Sequence, residues 1–169
     1  VPDHELTDST PVPPTNVESS APPVTPADHR LAHELATSAG ELLMSVRAEL
    51  VAWGASADAL KAEGDRRANE FLMEALRRER PDDPILSEEE GEDPALLERR
   101  LASRRAWIVD PLDGTREFSE PPRSDWAVHV ALSFDGEAVV GAVALPALGV
   151  TLSTHLALAG AARPPEPRA

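Results

Sequence analysis

The sequence predicts an α+β fold, with helices layered on a mostly antiparallel sheet. Three observations carry that expectation. Apolar residues recur at threes and fours through the first half, β-branched runs fill the second, and Asp135-Gly136 joins two of those runs as a hairpin turn. Helices come first and several strands follow, an order that differs from strict βαβ alternation. At 169 residues and 41% hydrophobic content, the chain can build one domain with a real core but not two large ones.

The elements follow in order. Residues 1–27 mix Pro, Thr, Ser and acidic residues with few large apolar groups, so burial cannot offset their ordering entropy; a disordered Pro-rich tail is expected. Asp28 is positioned to cap a first helix whose apolar face is Leu31, Leu35, Leu42, Val46 and Leu50, ending near Trp53-Gly54. A second helix is expected from about Gly64-Asp65, with Ala68, Phe71, Leu72, Ala75 and Leu76 on one side and Arg67, Arg77 and Arg78 largely on the other, until Pro81 stops it. Ile85-Leu86 reads as a short strand, Pro94 to about Arg104 as a short helix and Ala106 to Val109 as a second strand. Ala127 to Phe134 and Glu137 to Ala144 form the hairpin, and Gly149 to Thr154 adds a strand. The folded domain is thus expected over 28–161, with a second tail over 162–169.

Charge and composition narrow the function. A net charge of -14 repels a nucleic-acid polymer or an anionic membrane, so neither is an expected partner. A small anionic substrate would need metal ions as intermediaries. The absence of cysteine removes disulfides, thiolate zinc and cysteine nucleophiles together, and suits a reducing compartment. No apolar run reaches the roughly 18 residues of a membrane span, and no secretory signal is legible at the start, so the expected location is cytoplasmic.

One segment carries chemistry. Trp107 to Phe118 runs an apolar strand into Asp110, Pro111, Leu112, Asp113, Gly114 and Thr115, beside an expected helix start. Pro111 fixes φ between the two aspartates, so both carboxylates can converge at one strand end, as hard divalent cations require. The plain alternative is an ordinary turn, because Pro, Asp and Gly dominate turns for local reasons. A turn, however, does not require the apolar strand before it, the threonine after it, or a separate Glu88-Glu89 pair behind Ile85-Leu86. The five histidines lack the paired spacing of a zinc helix, and His129 reads most simply as a hydrogen-bonded strand residue. Trp53, Trp107 and Trp126 read as core or rim aromatics.

Trp107 to Phe118, with Leu86-Ser87-Glu88-Glu89 upstream in matching order, resembles the first signature of the magnesium-dependent, lithium-sensitive phosphatases: inositol monophosphatase, fructose-1,6-bisphosphatase and 3'(2'),5'-bisphosphate nucleotidase. Arg116-Glu117-Phe118 is similar to the nucleotidase branch. The resemblance covers roughly Asp28 to Thr154. It implies a phosphomonoesterase that releases phosphate from adenosine 3',5'-bisphosphate or its sulfated analogue by metal-activated water, using two or three Mg2+ ions. Inositol monophosphatase or fructose-1,6-bisphosphatase activity is the alternative within the family. It also implies roles: Glu88, Asp110 and the Leu112 carbonyl on one metal, Asp110 and Asp113 on a second, and Glu88, Gly114 and Thr115 at the substrate phosphate. Thr115 with Asp65 would orient the water and take its proton. For Asp65 a helix N-cap stands as the equal alternative, and for Glu89 the choice lies between supporting an additional metal and sitting in solvent. The family's second signature, a Trp-Asp segment, has no counterpart here, so the resemblance extends only to the family's N-terminal portion. A truncated, non-catalytic remnant is the alternative of another class.

Overall fold

The computed structural model describes residues 23–89, 98 and 103–160. Helix α1 spans Pro26–Ala52, and Thr25 rather than Asp28 is its N-cap. Asp28 sits one turn in and reaches back, its Oδ2 accepting from the Thr25 amide at 2.8 Å, while Pro26 occupies a first-turn position where no amide is needed. Leu35, Val46 and Leu50 are buried as expected, but Leu31 and Leu42 are only partly so. The innermost stripe is Ala32, Ala36, Ala39 and Leu43, small side chains that let the helix lie close to the sheet. Trp53, just past the last buried turn, is exposed, contrary to its expected place at the core or rim.

Helix α2, Ala57–Glu79, starts two turns earlier than the apolar pattern suggested, because Ser56 supplies the cap: its Oγ accepts from the Ala59 amide at 3.2 Å. Asp65 therefore lies inside a helix, and the N-cap reading of it fails. Leu60, Ala68, Leu72, Ala75 and Leu76 are buried, while the polar side carries ion pairs such as Arg66 with Glu63 and Glu70.

The strands are β1 (Ile85–Ser87), β2 (Arg105–Asp113), β3 (Ala127–Phe134), β4 (Glu137–Leu145) and β5 (Val150–Ser153), hydrogen-bonded in that order. Only β1 and β2 run parallel; the other pairings are antiparallel. Asp135 at φ 52° and Gly136 at φ 82° make the expected hairpin turn, both in the left-handed region that such a two-residue connection demands. Helix α1 lies across β3, β4 and β5, and α2 across β1 and β2. The core is the seam between the helix pair and one sheet face, filled by Trp107, Val109, Val128, Val130, Leu132 and Val140 against the two helices. The layered α+β expectation thus holds. The expected short helix from Pro94 falls mostly outside the described residues, as do the tails up to 22 and from 161. No helix among the described residues is long and apolar enough to cross a membrane.

Candidate active site at the end of β2

Strand β2 runs four residues further than its expected end at Val109, to Asp113, and its register explains why both aspartates come to one place. Asp110 pairs with His129 and Asp113 with Ala127, so three steps along β2 match two along β3. In a regular strand, residues three apart face opposite ways. The extra residue restores the match, and Pro111 and Leu112 are both buried while Asp110 is half-buried and Asp113 exposed. Proline is tolerated at such a bulge, where no ladder hydrogen bond is demanded of its nitrogen.

Gly114 follows at φ 82° and caps the one-turn helix Thr115–Phe118. A Cβ on Gly114 would meet the Asp125 carbonyl at 3.1 Å, so the position excludes a side chain on two counts. Behind the turn, Phe118 packs edge-on to Trp126 at 5.1 Å, and the Arg47 guanidinium lies over both rings. Arg47 also donates to the Arg123 carbonyl at 2.8 Å and the Glu117 carbonyl at 3.3 Å, tying α1 to the segment after the motif.

Helix α2 brings Asp65 in. Gly64 packs so closely that a Cβ there would stand 2.7 Å from Phe118 Cε1 and 2.9 Å from Leu112 Cδ2. That approach puts Asp65 Oδ1 3.4 Å from Thr115 Oγ1, which also lies 3.1 Å from the Leu112 carbonyl. The single hydroxyl proton serves one of these acceptors at a time. One turn further along α2, Asn69 Oδ1 accepts from Ser87 Oγ at 2.6 Å, and Ser87 Oγ accepts from the Glu89 amide at 3.3 Å. The Glu88 amide donates to the Val109 carbonyl at 3.2 Å, so the acidic pair continues the β1–β2 ladder.

The electrostatics are one-sided. Burial pushes the Asp65 carboxyl up to about 6, with repulsion from Glu89, Asp110 and Glu88 adding to it and the Thr115 hydrogen bond opposing. Burial likewise raises Asp110 to about 6, helped by the charges of Glu88 and Asp113 and opposed by His129. Asp110 Oδ1 is buried and has no hydrogen-bond partner. Asp110, Asp113 and His129 each offer one donor atom, all within 4.8 Å of one another. Glu88 is not in that tight set, although its charge reaches both Asp110 and Asp65. Glu88 and Glu89 are exposed, and Glu89 borders an open polar pocket with Asp65, Arg66, Asn69 and Glu70.

The residues fit a divalent cation on their own terms: an orphaned buried carboxylate oxygen, a second carboxylate on the same face and unrelieved negative charge. Sequence reasoning left His129 as a strand residue and did not see Asn69 or Arg47. Counting alternation backward along β3 from its pairing with the motif would have found His129; the other two needed the helix positions.

Fold and cluster together define a layered α+β protein with a carboxylate-rich centre at one strand end. Residues 27–162 match the inositol monophosphatase family, and the chain belongs to it. It is 50% identical over 133 residues to a 3'-phosphoadenosine 5'-phosphate phosphatase of Mycobacterium bovis, covering 73% of this chain and 46% of that protein. It is 43% identical over 86 residues to the 3'(2'),5'-bisphosphate nucleotidase CysQ of Salmonella typhimurium, 51% of this chain and 33% of that one. Among solved structures, CysQ from Bacteroides thetaiotaomicron is similar at a TM-score of 0.59 and 30% identity, over 71% of this chain and 42% of that one. Mycobacterium tuberculosis SuhB is similar at a TM-score of 0.60 and 29% identity, over 76% and 44%. The chain spans about half the length of the mycobacterial relatives it matches.

Proposed function

We propose that this chain carries the cation-binding and water-orienting part of a phosphomonoesterase acting on adenosine 3',5'-bisphosphate or its sulfated analogue, in a cytoplasmic setting. The observation that carries the reading is the pair Asp110 and Asp113 brought onto one sheet face by the bulge, with Asp110 Oδ1 buried and unpartnered. The M. bovis relative supports the substrate class. Glu88, Asp110, the Leu112 carbonyl and Asp113 would hold two magnesium ions, with Glu89 supporting an additional one. Bound there, magnesium supplies polarisation of the phosphoryl oxygens, acidification of the attacking water and neutralisation of the leaving oxygen.

The chain's own residues do the rest. Turned to Asp65 Oδ1, the Thr115 hydroxyl proton leaves the Thr115 lone pairs free to accept from an attacking water. Asp65, raised toward neutrality, is matched to receiving that proton through the hydroxyl. The Gly114 and Thr115 amides would hold the phosphate as direct donors, since one helical turn adds little dipole. Glycine permits the approach.

Phosphate release is measured on adenosine 3',5'-bisphosphate, inositol monophosphate and fructose 1,6-bisphosphate, with and without magnesium and lithium. The expected result is magnesium-dependent release from the adenosine bisphosphate, abolished in Asp110→Asn. Because the chain spans 46% of its M. bovis relative, a non-catalytic remnant is the second reading, and its signature is magnesium binding with no turnover of any of the three. A preference for the inositol or fructose ester would move the assignment within the family.

A further inference from the structure

Strand β1 ends at Ser87, which shares its side of the strand with Ile85 and is buried. Asn69 stands one turn beyond Asp65 on α2, and so on the same face of that helix. Its Oδ1 lies 2.6 Å from Ser87 Oγ, the spacing of an O–H···O bond rather than of an amide donor. The hydroxyl therefore donates to Asn69 and keeps its lone pairs for the Glu89 amide at 3.3 Å.

We propose that Asn69 and Ser87 are positioning residues that hold the Glu88-Glu89 segment at the acidic centre, so that one face of α2 sets both this pair and Asp65. The inference rests on the cation-binding reading above and concerns what aims its ligands. Something must hold that segment in place. Glu88 and Glu89 are exposed, their charges repel Asp65, and that of Glu88 also repels Asp110, so in the absence of a cation electrostatics drives the pair outward. Neutral hydrogen bonds oppose this. The Glu88 amide donates to the Val109 carbonyl at 3.2 Å, which belongs to the sheet, while the Glu89 amide leads through Ser87 and Asn69 into the helix.

The plainer reading is that Asn69 satisfies a buried hydroxyl and nothing more. Burial alone, however, would be met at position 87 by an aliphatic side chain such as that of Ile85, with no polar partner to supply. The hydroxyl instead gives one bond and receives another, and what it receives is the main chain of the acidic pair. The helix that anchors it is itself firmly seated, because Gly64 lets α2 press against Phe118 and Leu112 of the motif. Metal-ligating carboxylates are commonly aimed by such outer hydrogen bonds.

The test titrates the 169-residue protein with manganese chloride and counts the free ion by electron paramagnetic resonance, since manganese takes the same carboxylate, carbonyl and water oxygens as magnesium. Asn69→Ala and Ser87→Ala should each weaken by about tenfold the binding that Asp110→Asn abolishes. The double variant should bind as weakly as either single one, because both substitutions break the same tether. Thr37→Ala, which removes a hydroxyl pair with Thr151 between α1 and β5, should leave the affinity unchanged. Binding that Asp110→Asn abolishes but that both alanine variants leave unchanged overturns the positioning role and keeps the cation reading. A loss confined to one of the two, or additive in the double variant, also overturns it, as does an equal loss in Thr37→Ala, which would indicate general loosening. Manganese binding that is absent, or indifferent to Asp110→Asn, overturns both readings. Should Ser87→Ala fail to fold, Asn69→Ala against Thr37→Ala decides the matter, because alanine suits the half-buried helical position 69.

Discussion

At the start of β2, Arg105 is buried and donates to Asp83 at 3.0 Å and to Asp28 at 3.2 Å, while Arg80 reaches Asp28 at 2.9 Å and the Trp107 indole donates to Asp83 at 3.0 Å. At the other end of the same strand, Asp110 and Asp113 gather with Glu88 and Asp65, and no arginine or lysine answers them in the pairs described. Burial acts alike on both ends, and the outcomes diverge. It pushes Asp28 upward, but the Thr25 amide, Arg105 and Arg80 outweigh it and hold the carboxyl below its ordinary range. Asp110 and Asp65 have only His129 and the Thr115 hydroxyl to oppose it and rise to about 6. Balanced buried charge locks the fold, and unbalanced buried charge marks a place that needs something from outside.

The sharpest way to break the comparison is at the balanced end. Arg105→Met removes the buried cation shared by two carboxylates, leaving Asp28 to Arg80 and Asp83 to the Trp107 indole, and should lower stability by about 3–5 kcal/mol, read from the urea midpoint. A loss below 1 kcal/mol would mean that the network does not hold the strand. Gly64→Ala comes next: the Cβ would press on Phe118 and Leu112, so overpacking should remove about 1–3 kcal/mol. By pushing α2 off the motif it should also slow phosphate release more than Ala68→Gly, a change on the same helix with comparable destabilisation.

Asp110→Asn probes the unbalanced end and carries the opposite sign. A carboxyl raised in the folded state contributes stability that is whole below the ordinary aspartate range near 4 and is lost as pH climbs through about 6. Metal-free Asp110→Asn should therefore be more stable than the parent at pH 7.5, by about 1–2 kcal/mol after solvent screening, with the gain gone by pH 4. Thermal melts at the two pH values check this, and an equal gain at both would refute the electrostatic cause. The smallest effect belongs to Thr25→Ala, which removes the cap hydroxyl beside Asp28 and should reduce stability by about 0.5–1 kcal/mol, visible as a small midpoint shift.

The two ends also differ in how legible they were. Asp110, Asp113, Gly114 and Thr115 are contiguous, so one strand and one turn fix them, and a resemblance over a dozen residues could find them. The helices and the hairpin were legible for the same local reason. Asp65 was named beside Thr115 through the resemblance, but Asn69 and His129 depend on how α2 docks and how β3 registers, which no local pattern states. The start of α2 was misread because Ser56 acts through a single cap, while the apolar period becomes visible only two turns later. Arg105 carries no signal in the sequence; its burial follows from Asp28 and Asp83, which lie 77 and 22 residues away.

The extra residue between Asp110 and Asp113 makes the site a matter of parity. Deleting either Pro111 or Leu112 would leave every acidic side chain of the candidate site in the sequence yet turn one aspartate into the hydrophobic seam. Point substitutions elsewhere could not repair that, so in this protein the count of residues in one short interval is as much a determinant of chemistry as their identities.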